Sequence, residues 1–381
     1  PDRFWGKFQE KELHQIGSNG PPKNQNQIDH TRAALAMCEN IDWNVGRIID
    51  QLKNSGVLEN TIVIYLSDNG PNGNRWNGLM KGRKGSTDEG GVRSPMIINW
   101  PGKIPQGKIV KEIASGIDLL PTLKDLTGIT SQAKKPLDGI SLEPLIMQEN
   151  PLWENRYIYN YWKGKLSLRN QHYRLDHQGQ LFNMVNDPNQ TKDIGEKKPQ
   201  VLTALNKAKE QWEQEVLVEL PKKDNRPFYI GHPSLHTTQF PARDGIPSGE
   251  IKRSNRYPNC AYFTHWINPE DTITWEAEVA QDGDFEITVY YSCAEDAIGS
   301  LFEVSFGDAS IQGEIKEVHN PNEYGAAEDR VLRQESYVKD FKPLKIGTLK
   351  LEKGKGTLKI KGIEKKGRAL MDFRLMLLKR I

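Results

Sequence analysis

A carboxylate, an amide and a lysine lie within one glycine-rich stretch of the sequence. Asp68 and Asn69 follow the apolar run 61–66, and Lys84 lies further along, in residues 82–91. A carboxylate beside an amide carbonyl offers two hard oxygen ligands, which suit Ca²⁺ or Mg²⁺. A cation and an ammonium group together stabilise an anion whose charge develops during bond cleavage. Each feature alone also has a simpler interpretation, because Asp-Asn-Gly is a common turn and a single lysine is usually solvated.

The elements around these residues predict an α/β arrangement. A helix ending at residues 54–56 is predicted from one apolar face, formed by Ala34, Cys38, Ile41, Val45, Ile48 and Leu52. The continuous apolar runs at 61–66 and 95–100 predict strands buried on both faces, as in a parallel sheet. Ligands bind beyond the carboxyl ends of such strands, where Asp68 and Asn69 lie. Residues 1–148 are therefore predicted to be part of a mainly parallel α/β domain.

Two further segments follow, with different patterns. Short strands at 157–161, 165–169, 173–176 and 180–184, followed by a helix at 198–217, predict a small antiparallel α+β subdomain over residues 149–220. Residues 221–227 read as a linker, rich in proline, lysine and aspartate. Residues 228–381 alternate apolar and polar positions, which predicts an all-β sandwich. Its last strand is predicted to direct Met371, Phe373, Leu375 and Leu377 to one face.

The ordered motifs resemble the sulfatase family of the alkaline-phosphatase-like superfamily. The resemblance covers residues 28–220 and matches the C-terminal portion of a formylglycine-dependent, arylsulfatase-like enzyme. It is carried by the sequences MCENIDWNVGRII at 37–49, SDNG at 67–70, GRKGSTDEGG at 82–91 and LFNMVNDPNQTKDI at 181–194.

That resemblance implies a calcium-dependent sulfuric ester hydrolase. It implies that Asp68 and Asn69 bind Ca²⁺ and that Lys84 contacts the sulfate group. Glu89, Gly90, Gly91 and Arg93 are interpreted as structural. The loop residues Asn74, Trp76 and Asn77 either border the substrate or belong to an ordinary surface loop.

The sequence holds only part of the site that the family uses. The formylglycine nucleophile arises from a Cys/Ser-x-Pro-Ser-Arg motif, and no such motif occurs in residues 1–381. We therefore expect formylglycine and further metal ligands upstream of Pro1, and we expect the 1–381 chain to be inactive alone.

The sandwich resembles the jelly-roll modules appended to many bacterial sulfatases and glycoside hydrolases, some of which bind sugars. Tyr262, Trp266, Trp275 and Tyr291 could form a stacking platform, although Trp275 and Tyr291 share strand faces with core residues. This domain and the aromatic content favour a sulfated glycan, or another sulfated small molecule, as substrate. Whether the module binds sugar or only packs is left open.

Composition narrows the remaining possibilities. The 52 basic and 50 acidic residues produce no strong field, so nothing favours nucleic acid as a partner. No apolar run approaches the roughly 20 residues that span a bilayer. Three distant cysteines leave a Cys260–Cys293 disulfide and free thiols both open. A periplasmic or extracellular location follows by analogy with exported bacterial sulfatases.

Two other functions remain as alternatives to the sulfatase. One is a phosphoester or phosphonate hydrolase of the same superfamily, although such enzymes more often use several histidine and aspartate ligands. The other is a non-catalytic carbohydrate-binding or structural protein, against which the intact Asp68, Asn69 and Lys84 argue.

Overall fold

The computed structural model describes residues 2–130, 134–221 and 224–381. The chain divides into two compact units, Pro1–Leu220 and Pro221–Ile381. Two residues of the predicted linker, 222 and 223, lie outside the described residues. The division of the first unit at residue 148 stays a prediction.

The first unit contains the described α-helices and the two smaller sheets. The helices are α1 (Asp2–Trp5), α2 (Gln25–Asn54), α3 (Glu89–Val92), α4 (Leu119–Thr127), α5 (Glu143–Met147) and α6 (Pro199–Glu215). The strands are β1 (Val63–Leu66), β2 (Met96–Asn99), β3 (Ile158–Trp162), β4 (Lys165–Arg169), β5 (Tyr173–Leu175) and β6 (Leu181–Asn183). No described helix is long and apolar enough to cross a membrane.

The long helix α2 confirms the predicted helix and its end. The side chain of Asn24 accepts a hydrogen bond from the Gln27 amide, which caps the first turn. The chain leaves the helix at Ser55 and turns at Gly56, whose φ of +70° favours glycine. Half of the predicted apolar face is exposed among the described residues, namely Cys38, Ile41 and Ile48, and the other three residues are half-buried.

The strands β1 and β2 correct the prediction of a mainly parallel sheet. They pair antiparallel, with Val63 opposite Asn99 and Leu66 opposite Met96, and no described strand of this unit pairs in parallel. They are also not buried on both faces, since Leu66 is 44% and Ile97 is 61% exposed. An apolar run predicts a strand but does not specify the direction of its partner. The unit is nevertheless α/β, since its elements through residue 147 run α1-α2-β1-α3-β2-α4-α5.

The second sheet confirms the predicted antiparallel subdomain. Its order is β3-β4-β5-β6, and each neighbouring pair is antiparallel. Lys163 and Gly164, both with positive φ, form the tight turn between β3 and β4. Helix α6 packs on this sheet through a small core made of Leu168, Leu175, Leu181 and Leu205.

The second unit is built from two six-stranded sheets. Its strands are β7 (Phe228–Ile230), β8 (Thr237–Pro241), β9 (Ile246–Pro247), β10 (Lys252–Arg253), β11 (Phe263–Thr264), β12 (Thr272–Val279), β13 (Gly283–Ser292), β14 (Leu301–Phe306), β15 (Ala309–Glu314), β16 (Lys342–Leu351), β17 (Gly354–Glu364) and β18 (Asp372–Arg380). One sheet runs β10-β11-β18-β13-β16 with β8 beside β18, and the other runs β15-β14-β17-β12-β7 with β9 beside β12. Both contribute to one hydrophobic core, as a sandwich requires. A jelly-roll connection order stays a prediction.

The last strand differs from its predicted pattern. Phe373 points into the core as predicted, but Met376 and Leu378 are buried there in place of Leu375 and Leu377. The pairing with β13 shifts between Tyr290 and Tyr291, which is a β-bulge. One extra residue in a strand moves every following side chain to the opposite face.

Candidate active site

The loop that carries Asp68 and Asn69 leaves the end of β1 and is held by the start of β2. The Ser94 hydroxyl donates to the carbonyl of Ser67 at 2.6 Å, and the Ser67 amide donates to the carbonyl of Pro95 at 3.4 Å. Asp68 is exposed and Asn69 is half-buried. Among the described residues, neither side chain makes a hydrogen bond or ion pair, so both are free to bind a ligand.

Glycines allow this loop to lie directly against helix α3. The Gly70 amide donates to the carbonyl of Gly91 at 2.9 Å. A Cβ atom on Gly70 would lie 1.8 Å from the carbonyl oxygen of Gly90. Any side chain at Gly70 would therefore separate the two segments. This close approach gives a physical reason for glycine in SDNG. The glycines of EGG have a different reason, because a Cβ atom on Gly91 would lie 2.2 Å from the carbonyl oxygen of Ser86.

Lys84 lies in the loop between these two segments. Its amide donates to the carbonyl of Pro71 at 3.0 Å, which joins the lysine's backbone to the segment that follows Asn69. The side chain is exposed and makes no ion pair among the described residues. Asp68, Asn69 and Lys84 all line one wide cavity of about 1830 Å³. The fold thus brings the three predicted site residues to the same cavity.

The three predicted substrate-contact residues lie outside that cavity lining. Asn77 is only 8% exposed, and its amide group donates to the carbonyls of Met80 at 2.8 Å and Gly82 at 3.1 Å. Its role in this structure is to close the loop. Asn74 accepts a hydrogen bond from Arg83, and Trp76 is 48% exposed. A substrate contact by Asn74 or Trp76 stays a prediction.

A buried ion cluster fixes the segment behind Lys84, and its arginines were not predicted. Glu89, 1% exposed, pairs with Arg174 at 2.9 Å and also with Arg169. Burial lowers the pKa of the Arg174 guanidinium, and the charge of Glu89 opposes that shift. Arg174 also donates to the carbonyl of Thr87. Strands β4 and β5 therefore hold Thr87 and Glu89 at the start of α3, three and five residues beyond Lys84.

Two further contacts fix this segment from the side of the second sheet. Gln190 is buried, and its side chain accepts a hydrogen bond from the Glu89 amide at 2.9 Å. That contact satisfies a free amide at the start of α3. Lys81 pairs with the fully buried Asp176 at 3.0 Å and lies 3.7 Å from Asp88. The motifs at 82–91 and 181–194 are thus in direct contact, although no pattern in the sequence pairs them.

The residues present fit part of a calcium site. Asp68 and Asn69 offer hard oxygen donors that are exposed and unpaired among the described residues. Ca²⁺ takes about six to eight oxygen ligands. The described part of the chain contains no group of three or more His, Cys, Asp or Glu residues that could hold a metal ion. Asp68 and Asn69 would therefore supply only a fraction of the ligands that Ca²⁺ takes.

Comparison with known proteins agrees with this geometry. Residues 9–129 match the family model described as Sulfatase, and residues 84–217 match the one described as N-sulphoglucosamine sulphohydrolase, C-terminal. Residues 9–217 belong to the sulfatase family. We call residues 9–217 the sulfatase segment.

Curated relatives match parts of this chain. Rat steryl-sulfatase is 35% identical over 139 residues, which are 34% of this chain and 24% of that protein. Human arylsulfatase A is 42% identical over 112 residues, which are 28% of this chain and 22% of that protein. A sulfatase of Formosa agariphila is 28% identical over 254 residues, which are 57% of this chain and 44% of that protein. The chain thus spans between a fifth and a half of the length of these relatives.

Proposed function

We propose that this chain is part of a calcium-dependent sulfuric ester hydrolase that acts on a sulfated carbohydrate. The observation that carries the proposal is that Asp68, Asn69 and Lys84 share one cavity. Membership of the sulfatase family supports the reaction class.

Each of these residues has a defined role in the proposal. Asp68 and Asn69 would hold Ca²⁺ through a carboxylate and an amide oxygen, and the cation would polarise the sulfate ester. The exposed ammonium of Lys84 would bind sulfate oxygens and stabilise charge that develops during cleavage. The buried Glu89–Arg174 pair keeps the Lys84 segment in place and takes no part in the reaction.

The carbohydrate part of the proposal has support from the relatives. One relative, from dog, is named N-acetylgalactosamine-6-sulfatase, and it is 37% identical to this chain over 113 residues. We extend a sulfated sugar substrate to this chain by that similarity. A periplasmic or extracellular location remains part of the same proposal.

We do not propose that the aromatic residues of the sandwich form a stacking platform for sugar. Trp266, Trp275 and Tyr291 are each no more than 1% exposed and belong to the core, so they cannot stack on a sugar. Tyr262 is half-buried, and its hydroxyl donates to Glu323 at 2.9 Å.

The three cysteines are free thiols, so Cys260 and Cys293 form no disulfide.

Sulfate release from an aryl sulfate ester tests the proposed function. The purified 1–381 chain is expected to release no sulfate above background, because its sequence holds no Cys/Ser-x-Pro-Ser-Arg motif. A longer protein in which this chain follows a segment with that motif, converted to formylglycine, is expected to release sulfate and to lose activity on calcium removal. Turnover by the purified 1–381 chain would contradict the proposal that the nucleophile lies outside it.

A further inference from the structure

The edge strand β3 forms a wall of the cavity that contains Lys84. It is the outermost strand of its sheet, and all five of its residues line the cavity. Tyr159 turns toward α6, where its ring stacks on Trp212 with centroids 5.1 Å apart. Because side chains alternate along a strand, Asn160 and Trp162 share the opposite face. Trp162 is 53% exposed, so its indole ring is available to a ligand.

Hydrogen bonds fix this face of β3 against the Lys84 segment. Asn160 accepts a hydrogen bond from Arg174 at 3.1 Å and pairs across the sheet with Ser167. The Ser167 hydroxyl donates to the carbonyl of Thr87 at 2.6 Å. Thr87 is three residues from Lys84, and Trp162 lies roughly 7 Å beyond Asn160 along the strand. Trp162 therefore lies on a strand that hydrogen bonds tie to the Lys84 segment. It is 53% exposed, and the Lys163 ammonium lies 5.6 Å from its ring centroid.

The cavity wall is predominantly basic. Its cationic residues are Lys84, Arg93, Lys108, Lys111, Arg169 and Arg174. Its acidic residues are Asp68, Glu89 and Glu112, and Glu89 is paired with Arg169 and Arg174. Lys111 is exposed, and its ammonium makes no ion pair among the described residues. Positive charge thus extends along the wall beyond the position of Lys84.

We propose that Trp162 and Lys111 form a subsite for the part of the substrate next to the reacting sulfate. The indole ring would stack on a neighbouring sugar ring, and the Lys111 ammonium would bind a second anionic group. The substrate class is then a sulfated oligosaccharide that carries at least two anionic groups. The inference rests on the proposed function, because it places the reacting sulfate at Lys84.

Calorimetric titration of the 1–381 chain with a heparin-derived hexasaccharide tests the subsite. Trp162→Ala is expected to weaken binding about tenfold, in line with the energy of an aromatic contact. Lys111→Ala is expected to weaken binding about fivefold and to reduce its dependence on salt. Glu112→Gln is expected to strengthen binding, because it removes a negative charge while its side-chain oxygen can still accept the hydrogen bond from the Lys111 amide.

Matched controls separate the subsite from general effects. Trp43→Ala removes a 40% exposed tryptophan of α2 outside the cavity, and Lys103→Ala removes an exposed lysine outside it. Both are expected to leave binding unchanged, and a chemically desulfated hexasaccharide is expected to bind much more weakly. The inference is overturned if the chain does not bind the sulfated hexasaccharide, if Trp162→Ala binds it as well as wild type, or if desulfation has no effect.

The outcomes also separate this inference from the proposed function. If the longer protein releases sulfate but Trp162→Ala does not change oligosaccharide binding, the subsite is wrong and the function stands. If oligosaccharide binding depends on Trp162 but the longer protein hydrolyses no sulfate ester, Trp162 binds the oligosaccharide and the proposed sulfatase reaction is wrong.

Discussion

At the scale of single residues, the segment that contains Lys84 depends on a buried carboxylate, Glu89. Glu89 is surrounded by Arg169, Arg174 and the exposed Arg93, and it anchors the segment that contains Lys84. A buried charge that loses its partner keeps its desolvation cost without compensation. The cluster is therefore a sensitive point for the stability of the first unit.

Replacing Glu89 tests this interpretation. Glu89→Leu leaves the fully buried Arg174 without its main partner, so the free energy of unfolding should fall by about 3 kcal/mol or more. The double variant Glu89→Leu/Arg174→Met should recover part of that loss, because the unpaired charge is gone. Urea denaturation of wild type, Glu89→Leu and the double variant measures these free energies of unfolding.

An exposed member of the same cluster serves as the control. The Arg93 side chain is 63% exposed and lies 3.5 Å from Glu89, so Arg93→Met should change the free energy of unfolding by about 1 kcal/mol or less. A Glu89→Leu variant as stable as wild type would show that the cluster does not stabilise the unit.

Single residues also show what the sequence could predict about the site. Asp68, Asn69 and Lys84 could be predicted as site residues because each lies in a short motif of neighbouring residues. Arg174 and Gln190 could not be found that way, because their partners are 85 and 101 positions distant in sequence. An arginine within a short strand gives no sign that it points inward.

At the scale of elements, the approach of the Asp68 loop to α3 is the contact that assembles the site. Gly70→Ala would place a methyl group 1.8 Å from the Gly90 carbonyl oxygen, so backbone must move. We expect the free energy of unfolding of the first unit to fall by about 1–3 kcal/mol, the usual cost of overpacking. Thermal and urea denaturation measure the change.

Another glycine provides a matched control for that substitution. Gly46 lies within α2, and a Cβ atom there would meet no described atom within 4 Å. Gly46→Ala should stabilise the protein by about 1 kcal/mol, because alanine favours helix. If Gly70→Ala behaves like Gly46→Ala, the close packing of the two segments is wrong.

Strands of opposite charge lie side by side in the second unit, although the acidic and basic residues lie in separate blocks of the sequence. Acidic residues dominate 270–317 and basic residues dominate 342–380. The sheets interleave these blocks, so that β13 lies between β16 and β18, and β17 between β12 and β14. Lys361 pairs with Glu270 at 2.7 Å, and Lys345 pairs with Glu286. Opposite charges on neighbouring strands favour this pairing.

The alternation of apolar and polar residues predicted some strands correctly and others wrongly. Alternation predicted the antiparallel strands β3–β6 and most of the sandwich, because a half-buried strand directs every second residue inward. It failed at the bulge in β18, which depends on pairing with β13. It also failed for the direction of β1 and β2, since burial alone does not define strand direction.

At the scale of the whole molecule, each unit has its own core and a different relation to function. The sulfatase segment carries the three predicted site residues and the basic cavity. The second unit places three of its four candidate aromatic residues in its own core. We therefore assign the proposed substrate contacts to the first unit.

If this chain contributes Lys84 to a sulfatase site, replacing that lysine should remove most of the activity. In the longer protein with the formylglycine segment, Lys84→Ala should lower kcat/KM for an aryl sulfate by about 100-fold or more, as expected on removing one group that stabilises charge in the transition state. Lys103→Ala, an exposed lysine outside the cavity, should leave kcat/KM unchanged. Sulfate release by Lys84→Ala at the wild-type rate would show that Lys84 is not part of the active site.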